Sequence, residues 1–200
     1  MTTSNGVVSS TAVLAGKKLT VSYIDVGQAD SILIQTPGGK NVLIDAGNNE
    51  DANTIVTYLK GKNISRLDYV IATHSHEDHI GSMDTVINTF DIGNMVMPKE
   101  TSNTQTFRDL LTAIANKGLK PIEAKAGVKL DFGSELNAEL LAPNSTGYGD
   151  INDYSAVSSF GLWEEYLLVY GGCRGSVRIG NASSWKSSKG GCTKSWSSRL

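Results

Sequence analysis

The chain has 200 residues, of which 40% are hydrophobic and 19% are charged. This length and balance suit one folded domain with a core of its own, and they exclude a disordered or membrane-spanning composition. The formal net charge of −2 gives no bulk attraction to nucleic acid, and the two cysteines cannot build a disulfide scaffold. All three histidines fall between residues 74 and 79, which is the most informative feature of the composition.

The first 16 residues are small, polar and weakly apolar, and we predict that they form a disordered leader. They lack a basic start and a long apolar stretch, so they do not predict a signal peptide, and the location in the cell stays open. No apolar run in the sequence reaches the length of a transmembrane helix.

From residue 17 onwards the hydrophobic pattern predicts regular elements. Residues 19–24, 31–35 and 41–44 are predicted strands, and Pro37-Gly38-Gly39 is a turn. The later predicted elements are a helix at 51–61, a buried strand at 67–72, a helix at 79–90, a short strand at 96–97, a helix at 104–117 ended by Gly118, and strands near 122, 128 and 138–141. Hairpins followed by alternating strands and helices predict a mixed sheet with helices on its outer face.

The sharpest motif is His74-Ser75-His76-Glu77-Asp78-His79, directly after the predicted buried strand. A strand followed by a tight turn can aim residues i and i+2 at one point and residues i+4 and i+5 at a second point nearby. Imidazole nitrogen and carboxylate oxygen are ligands that zinc prefers. Two metal ions held in this way could polarise a substrate and generate hydroxide at neutral pH. The alternative is a polar helix N-terminus, with Ser75 or Asp78 as its cap.

The pattern His74-x-His76-x-Asp78-His79 resembles the signature of the metallo-β-lactamase-fold hydrolases. The resemblance implies that His74 and His76 bind one divalent ion and that Asp78 and His79 bind a second. It also implies a catalytic role for Asp78, which holds the bridging hydroxide in that family. Zinc is the expected ion, with manganese and iron as alternatives. The implied fold is an α/β (α+β) four-layer αββα sandwich with the site at the sheet edges.

Two further segments indicate a branch of that family. Asp25-Val26-Gly27-Gln28-Ala29-Asp30-Ser31 resembles the D-V-G-Q-G-D-S motif of the DNA-uptake competence branch, with Ala29 in place of a more flexible glycine. Leu43-Ile44-Asp45-Ala46-Gly47 matches an L-I-D-x-G element, whose aspartate supports the histidine loop through hydrogen bonds. The alternatives are an ordinary turn after a strand for Asp45 and a strand-edge charge for Asp30.

A third segment, Asn152-Asp153-Tyr154-Ser155, resembles the N-D-x-S element of the same branch. There it takes the place of the separate third histidine found in β-lactamases proper, which implies a supporting or structural role for Asn152, Asp153 and Ser155. The chain has no histidine beyond residue 79, as this interpretation requires. A polar loop is the alternative. The resemblance covers roughly residues 19–157.

The composition changes abruptly after Val157, since residues 158–200 hold all three tryptophans and both cysteines. The G-D-A-E and H-H-G-S motifs that the family needs are absent from the chain. If the codons of the tail are read one base later, the genetic code permits G-D-A-E from the codons of Gly171–Gly175. The same shifted frame permits G-H-H-G from the codons of Lys194–Leu200. We therefore predict an incomplete domain at residues 17–157 and an out-of-frame, Ser/Gly-rich tail at residues 158–200. A natural tail of the same composition is the alternative.

These features predict a metal-dependent hydrolase of the competence-related branch. The resemblance implies that its substrate is a nucleic-acid phosphodiester, attacked by metal-bound hydroxide. We expect weak metal binding and little turnover from the chain as written, because its second half is incomplete. The alternatives are hydrolysis of a small ester, thioester or lactam, and an inactive relic or binding module. The oligomeric state stays open.

Overall fold

Two β-sheets form the centre of the molecule in the computed structural model, which describes residues 9–14, 17–133, 136–162, 165–170 and 176–181. The first sheet has seven strands that lie side by side in chain order: β1 (Ser9–Leu14), β2 (Lys17–Tyr23), β3 (Ile32–Gln35), β4 (Asn41–Ile44), β5 (Arg66–Ile71), β6 (Asp91–Met97) and β7 (Ile122–Glu123). The second sheet has five strands: β8 (Lys129–Asp131), β9 (Asn137–Ala142), β10 (Val157–Leu162), β11 (Glu165–Tyr170) and β12 (Ser176–Asn181).

The helices that the structure describes are α1 (Ala52–Gly61), α2 (Glu77–Ile80), α3 (Met83–Thr89) and α4 (Gln105–Asn116), with 3-10 turns at Asn49–Asp51 and Ile151–Tyr154. None of the helices in these ranges is long and apolar enough to cross a membrane. Thr104 caps α4 by accepting a hydrogen bond from the Phe107 amide (3.2 Å), so this helix begins where the sequence predicts.

The first sheet is mixed, as its sequence pattern predicts. Strands β1 to β4 pair antiparallel, whereas β4 to β7 pair parallel. Because β5 and β6 are parallel, the segments that follow them leave the same edge of the sheet side by side. The Ala72 amide continues the ladder beyond β5 by donating to the Val96 carbonyl (2.9 Å). The histidine motif therefore begins at this edge, next to the loop at residues 98–104.

Alternate residues of the central strands face two different cores. Leu43 packs into the cluster that holds Ile55 of α1, Val86 of α3 and Leu110 of α4, all of them fully buried. Its neighbours on β4 point to the opposite face and join the cluster between the two sheets, which also holds Leu140 and Phe160. The order of layers is thus helices, first sheet, second sheet. This arrangement confirms the predicted α/β class.

One predicted helix is divided in two. The sequence predicts a helix at residues 79–90, but the structure has α2 and α3 separated by Gly81 and Ser82. At the break, the Gly81 amide donates to the Gly47 carbonyl (2.8 Å) and the Ser82 amide donates to the Ala46 carbonyl (3.0 Å). The neighbouring loop comes so close that a Cβ on Gly81 would lie 2.2 Å from the Asn48 carbonyl carbon. The Ser82 amide thus bonds outside the helix, whereas the Gly81 amide is shared with the Glu77 carbonyl of its own turn (2.7 Å).

Strands are present in both terminal segments for which the sequence predicts little structure. Ser9–Leu14, inside the predicted leader, pairs antiparallel with β2 and so covers the edge of that strand. Beyond residue 157, strands β10, β11 and β12 extend the second sheet. The remaining residues of the leader and of the tail lie outside the described ranges. The out-of-frame origin of residues 158–200 stays a prediction.

Candidate metal centre

Three loops meet at the edge of the first sheet, at residues 24–31, 45–48 and 72–82. We call them together the loop cluster. Backbone hydrogen bonds join them in pairs: Asp30 N donates to Asp78 O (3.0 Å), Gly47 N to Asp30 O (2.9 Å) and Ala46 N to His79 O (2.7 Å). Each of the three loops thus contacts the other two through main-chain atoms. These contacts fix the positions and directions of the side chains that the loops carry.

Three residues with positive φ shape the first two loops: Gly27 in the first, and Asp45 and Gly47 in the second. In the loop at residues 24–31 the left-handed conformation lies at Gly27 (φ 67°) and not at Ala29, so the alanine is not strained. In the second loop, Asp45 itself is left-handed (φ 58°), a conformation that aspartate tolerates better than most residues. The Asp45 amide still donates to the Ile71 carbonyl (2.9 Å), so the turn stays attached to the sheet.

The carboxylate of Asp45 lies at the centre of the cluster and is only 1% exposed. Its Oδ1 accepts a hydrogen bond from the Thr73 amide (2.8 Å). Its Oδ2 accepts from the Thr73 hydroxyl (2.8 Å) and from Nδ1 of His79 (2.8 Å). One buried carboxylate therefore orients both the start and the end of the histidine motif.

His74 and His76 form the first pair of candidate ligands. The Thr73 hydroxyl donates its proton to Asp45, so it accepts from Nδ1–H of His74 (3.1 Å). This leaves Nε2 of His74 without a proton, 3.0 Å from Nδ1 of His76. Burial lowers the pKa of His74 to about 3, with smaller contributions from His79 and His76. His74 is therefore neutral at pH 7, as a metal-binding imidazole must be.

His79 and Asp78 form the second pair. Nδ1–H of His79 donates to Asp45, which directs the free edge of the ring, Nε2, towards Oδ2 of Asp78 (3.6 Å). Burial lowers the pKa of His79, but the hydrogen bond to Asp45 and the negative charges of Asp45, Asp78 and Asp30 outweigh it, and the net pKa is raised. Asp78 is half-exposed, with 48% of its side chain accessible, so this pair faces solvent on one side.

The chemistry and spacing of these two pairs fit divalent ions. Zinc lies about 2.0–2.2 Å from imidazole nitrogen and carboxylate oxygen, so two ligand atoms that share one ion lie within about 4.4 Å of each other. The separations of 3.0 Å in the first pair and 3.6 Å in the second both meet this limit. The rings of His74 and His79 lie 4.1 Å apart, so the pairs are immediate neighbours.

A second group around His79 also has the composition of a metal site. One ligand atom each from Asp30, Asp45 and His79 lie within 4.8 Å of one another. The two carboxylates of this group approach Nδ1 of His79, with Oδ2 of Asp30 at 3.7 Å. Because Asp45 already accepts three hydrogen bonds, an ion in this group would have to displace donors from it. The pairs that use Nε2 of His79 and Nε2 of His74 require no such rearrangement.

The Asn152-Asp153-Tyr154-Ser155 segment forms the 3-10 turn beside the histidine loop. The Asn152 amide groups donate to Asp150 (2.9 and 3.0 Å), and the Ser155 hydroxyl donates to the Asn152 carbonyl (2.7 Å). Asp153 is exposed. The link to the candidate centre is a backbone bond, from the Ala156 amide to the Thr73 carbonyl (2.9 Å). These side-chain hydrogen bonds stay within the segment's own loop.

Two residues of the site are not evident from sequence reasoning. Thr73 transmits the orientation of Asp45 to His74, and its signal in the sequence is a hydroxyl directly before the first histidine. Glu100 lies beside Ser75 with one buried carboxylate oxygen. Nothing in the sequence marks Glu100, because its burial depends on the loop that follows β6.

Comparison with known proteins identifies relatives that match part of the chain. The chain is 27% identical over 162 residues to ComE operon protein 3 of Bacillus subtilis (strain 168), covering 72% of this chain and 20% of that protein. It is 30% identical over 95 residues to a UPF0173 metal-dependent hydrolase of Roseiflexus sp. (strain RS-1), covering 44% of this chain and 38% of the relative. The chain thus spans well under half the length of either relative. The first of them agrees with the competence-related branch indicated by the motifs.

Solved structures show the same fold. A protein assigned as a metal-dependent hydrolase from Parabacteroides distasonis ATCC 8503 superimposes with a TM-score of 0.50 at 15% identity, covering 84% of this chain and 66% of the other. The chemotaxis sensor ODP, in a peroxy diiron species, superimposes with a TM-score of 0.51 at 12% identity, covering 76% and 58%. The sequence model of the metallo-beta-lactamase superfamily matches residues 24–150. The chain therefore belongs to the metallo-beta-lactamase superfamily, with the fold of its metal-dependent hydrolases.

Proposed function

We propose that this chain derives from a hydrolase of nucleic-acid phosphodiesters that holds two divalent ions, one on His74 and His76 and one on Asp78 and His79. The observation that carries the proposal is the presence of two neighbouring pairs of ligand atoms. Nε2 of His74 lies 3.0 Å from Nδ1 of His76, and Nε2 of His79 lies 3.6 Å from Oδ2 of Asp78. In each pair a buried imidazole has its Nδ1–H committed elsewhere and presents Nε2. Asp45, Asp30 and the Asn152–Ser155 segment then have supporting roles, and Asp78 has the catalytic one.

The protonation of His74 suits this role. The low pKa, about 3, keeps the ring neutral throughout the physiological range, and the hydrogen bond to Thr73 keeps the proton on Nδ1. Its Nε2 lone pair is therefore available without the loss of a proton. His76 is half-buried and completes the pair from the solvent side. An ion would replace the contact between the two rings.

The orientation of His79 depends on its hydrogen bond to Asp45. The 2.8 Å bond holds the Nδ1 proton in place and leaves Nε2 as the ligand atom towards Asp78. When bound, divalent ions of this kind act as Lewis acids that polarise an ester and acidify water. Asp78 is half-exposed, so a substrate would reach the centre from its side.

The choice of a phosphodiester rests on resemblance. The Asp25–Ser31 motif is that of the DNA-uptake competence branch, and ComE operon protein 3 is among the relatives. The net charge of −2 provides no general attraction to a polyanion, so the cations of the centre would supply the local attraction. Since the chain covers 20% of that relative, the activity of the whole relative is not carried over with the fold.

Metal binding by ligand variants tests the centre. We would titrate the metal-free 200-residue chain with Zn²⁺ in competition with a chromophoric chelator. His76→Ala should weaken binding by at least about tenfold, because one imidazole of the first pair is lost. Glu77→Gln is the matched control, since it removes an exposed carboxylate from the same motif. Equal affinity of His76→Ala and the control would contradict the assignment.

Turnover with two substrate classes tests the reaction. A chromogenic phosphodiester and a chromogenic lactam would be offered to the chain as written and to a version in which the shifted reading is restored after Val157. We expect little turnover from the first and metal-dependent phosphodiester cleavage from the second. Faster lactam than phosphodiester cleavage would replace the proposed substrate class. Substantial phosphodiester cleavage by the 200-residue chain would refute the predicted impairment.

A further inference from the structure

The loop that follows β6 brings a carboxylate to the base of the histidine motif. Strands β5 and β6 run parallel, with Ile71 opposite Val96, and the Ala72 amide extends the pairing by one residue. The two segments therefore leave the sheet together, and Glu100 comes to lie beside Ser75. Ser75 is the residue between the two histidines of the first pair, so its position sets the direction of both.

Ser75 and Glu100 are adjacent but incompletely bonded. Ser75 is only 3% exposed, and neither its hydroxyl oxygen nor the buried Oε2 of Glu100 has a hydrogen-bond partner of good geometry within the described residues. The hydroxyl and the amide of Ser75 are nevertheless close enough to favour the anionic carboxylate. Buried polar atoms without partners cost free energy, so a small shift that joins these two groups is favourable.

The electrostatic surroundings of Glu100 favour a cation nearby. Burial raises the pKa of this carboxyl to about 7, against the opposing effect of the Ser75 hydroxyl and amide. No Lys, Arg or His nitrogen in the described residues forms an ion pair with it. An ion held by the neighbouring histidines would offset the buried negative charge.

We propose that Glu100 is a positioning residue for the candidate metal centre, which holds Ser75 by hydrogen bonds and thereby fixes His74 and His76 for a shared ion. The inference rests on the proposed metal centre described above. Glu100 supports the motif from the β6 side, as Asp45 supports it from the β4 side. The candidate centre is then held between carboxylates that follow β4 and β6, the two strands on either side of β5.

Cobalt binding to the full 200-residue chain tests this role. Glu100→Ala should weaken Co²⁺ binding by about 10–100-fold and change the visible absorption per bound ion, because the ligand directions change. Glu100→Gln keeps an acceptor oxygen and should recover most of the affinity and the wild-type spectrum. Glu123→Ala removes an exposed carboxylate from the adjacent strand β7 and should behave as wild type.

A double variant tests whether Glu100 acts through Ser75. Ser75→Ala should weaken Co²⁺ binding less than Glu100→Ala, because the Ser75 amide remains. The combined variant should lose less than the two single losses added together, since both remove the same contact. Additive losses would mean that Glu100 acts by another route, and would overturn the proposal.

The remaining outcomes separate this inference from the proposed function. If the wild-type chain binds Co²⁺ and His76→Ala weakens binding, but Glu100→Ala has wild-type affinity and spectrum, only the inference about Glu100 is wrong. If the wild-type chain binds no Co²⁺, both proposals are wrong. A merely structural role would lower the thermal midpoint of metal-free Glu100→Ala and leave the spectrum unchanged, and this result would also overturn the inference.

Discussion

The loop cluster, which carries the histidine motif, and the loop at residues 144–156, which contacts that motif, are held in different ways. In the loop cluster, main-chain bonds of 2.7–3.0 Å join each segment to the other two, and a buried carboxylate lies at the centre. The loop at residues 144–156 is braced internally, by the Tyr148–Tyr154 ring pair at 5.0 Å and by the bond from the Gly147 amide to the Tyr154 hydroxyl. It reaches the motif through the Ala156 amide.

This difference shows which half of the fold determines the candidate centre. The first sheet with its helices supplies the four proposed ligands, their orientation and their burial. The second sheet supplies a neighbouring surface that could change without displacing the ligands. The predictions below compare the two regions, beginning with the change of largest expected effect.

Replacing Gly81 by alanine should separate the loops of the cluster. The new Cβ would lie 2.2 Å from the Asn48 carbonyl carbon and 2.3 Å from the Asn49 nitrogen, and backbone atoms cannot move aside as a flexible side chain can. We expect a loss of about 3 kcal/mol in the free energy of unfolding, together with much weaker Zn²⁺ binding. Urea denaturation and chelator competition would measure the two effects.

Gly61→Ala is the matched control for that change. Gly61 closes α1 and has no atom within 4 Å of a Cβ built on it, so alanine should be neutral or slightly stabilising there. Similar losses in both variants would mean that the close approach at Gly81 does not hold the cluster together.

Asp45→Asn tests the orientation of the ligands. An asparagine cannot accept all three hydrogen bonds that Asp45 accepts from Thr73 and His79, because one side of its amide is a donor. Zn²⁺ affinity should fall by about 10–100-fold, measured by chelator competition. Asp25→Asn changes an exposed aspartate in the neighbouring motif and should keep wild-type affinity. Equal losses would show that negative charge matters here and that orientation does not.

The burial of His74 predicts a pH effect on the metal-free chain. Its folded pKa of about 3 lies below the ordinary value of 6.5, so the unfolded chain binds more protons between these two values. The contribution of His74 to stability should therefore fall as the pH is lowered from about 6.5, by up to about 1.4 kcal/mol per pH unit. The raised pKa of Glu100, about 7, acts in the opposite direction at these pH values, so the contribution of His74 is measured as a difference from a variant that lacks this imidazole. The raised pKa of His79 acts only above pH 6.5 and does not enter this window.

Urea denaturation of the wild type and of His74→Gln between pH 4.5 and 6.5, with chelator present, would measure this contribution. The difference in the free energy of unfolding, wild type minus variant, should decrease as the pH is lowered. An identical slope in both proteins would mean that His74 is not neutral and buried in the folded state.

Ser155→Ala should have the smallest effect, because it belongs to the second region. The lost bond, from its hydroxyl to the Asn152 carbonyl, is local and partly exposed, so we expect a cost of about 0.5–1 kcal/mol. Zn²⁺ affinity should stay within about twofold of wild type. A tenfold loss would show that the segment orients ligands directly, as Asp45 does, and would remove the contrast between the two regions.

The strands and the histidine motif could be predicted because their signals are local. Residues 41–44 alternate between two apolar cores, and the predicted strand has the bounds of β4. The four proposed ligands lie within six consecutive residues, so a short-range pattern was sufficient to find them. The chain's membership of the family follows from the same short segments.

Features that depend on contacts between distant segments could not be predicted. The helix predicted at residues 79–90 is interrupted where the Ser82 amide bonds to the Ala46 carbonyl, more than 30 residues away. Glu100 is half-buried in a loop whose path follows from the parallel pairing of β5 and β6. In the helix, a tertiary hydrogen bond overrides the helical periodicity of the sequence. At Glu100, the sequence has no periodic pattern that predicts burial.

The bonds that join the loop cluster come from main-chain atoms, and this has a consequence for how such a protein can change. Any residue except proline offers the same amide and carbonyl groups, so the scaffold of the site does not depend on which side chains occupy positions 30, 78 and 79. Substitution at these positions would alter which ion or substrate is preferred while the loops kept their paths. Ala29, accepted in place of a glycine because the left-handed turn lies at Gly27, is an instance of this tolerance. The paths of the loops and the chemistry of the side chains they carry can therefore change independently.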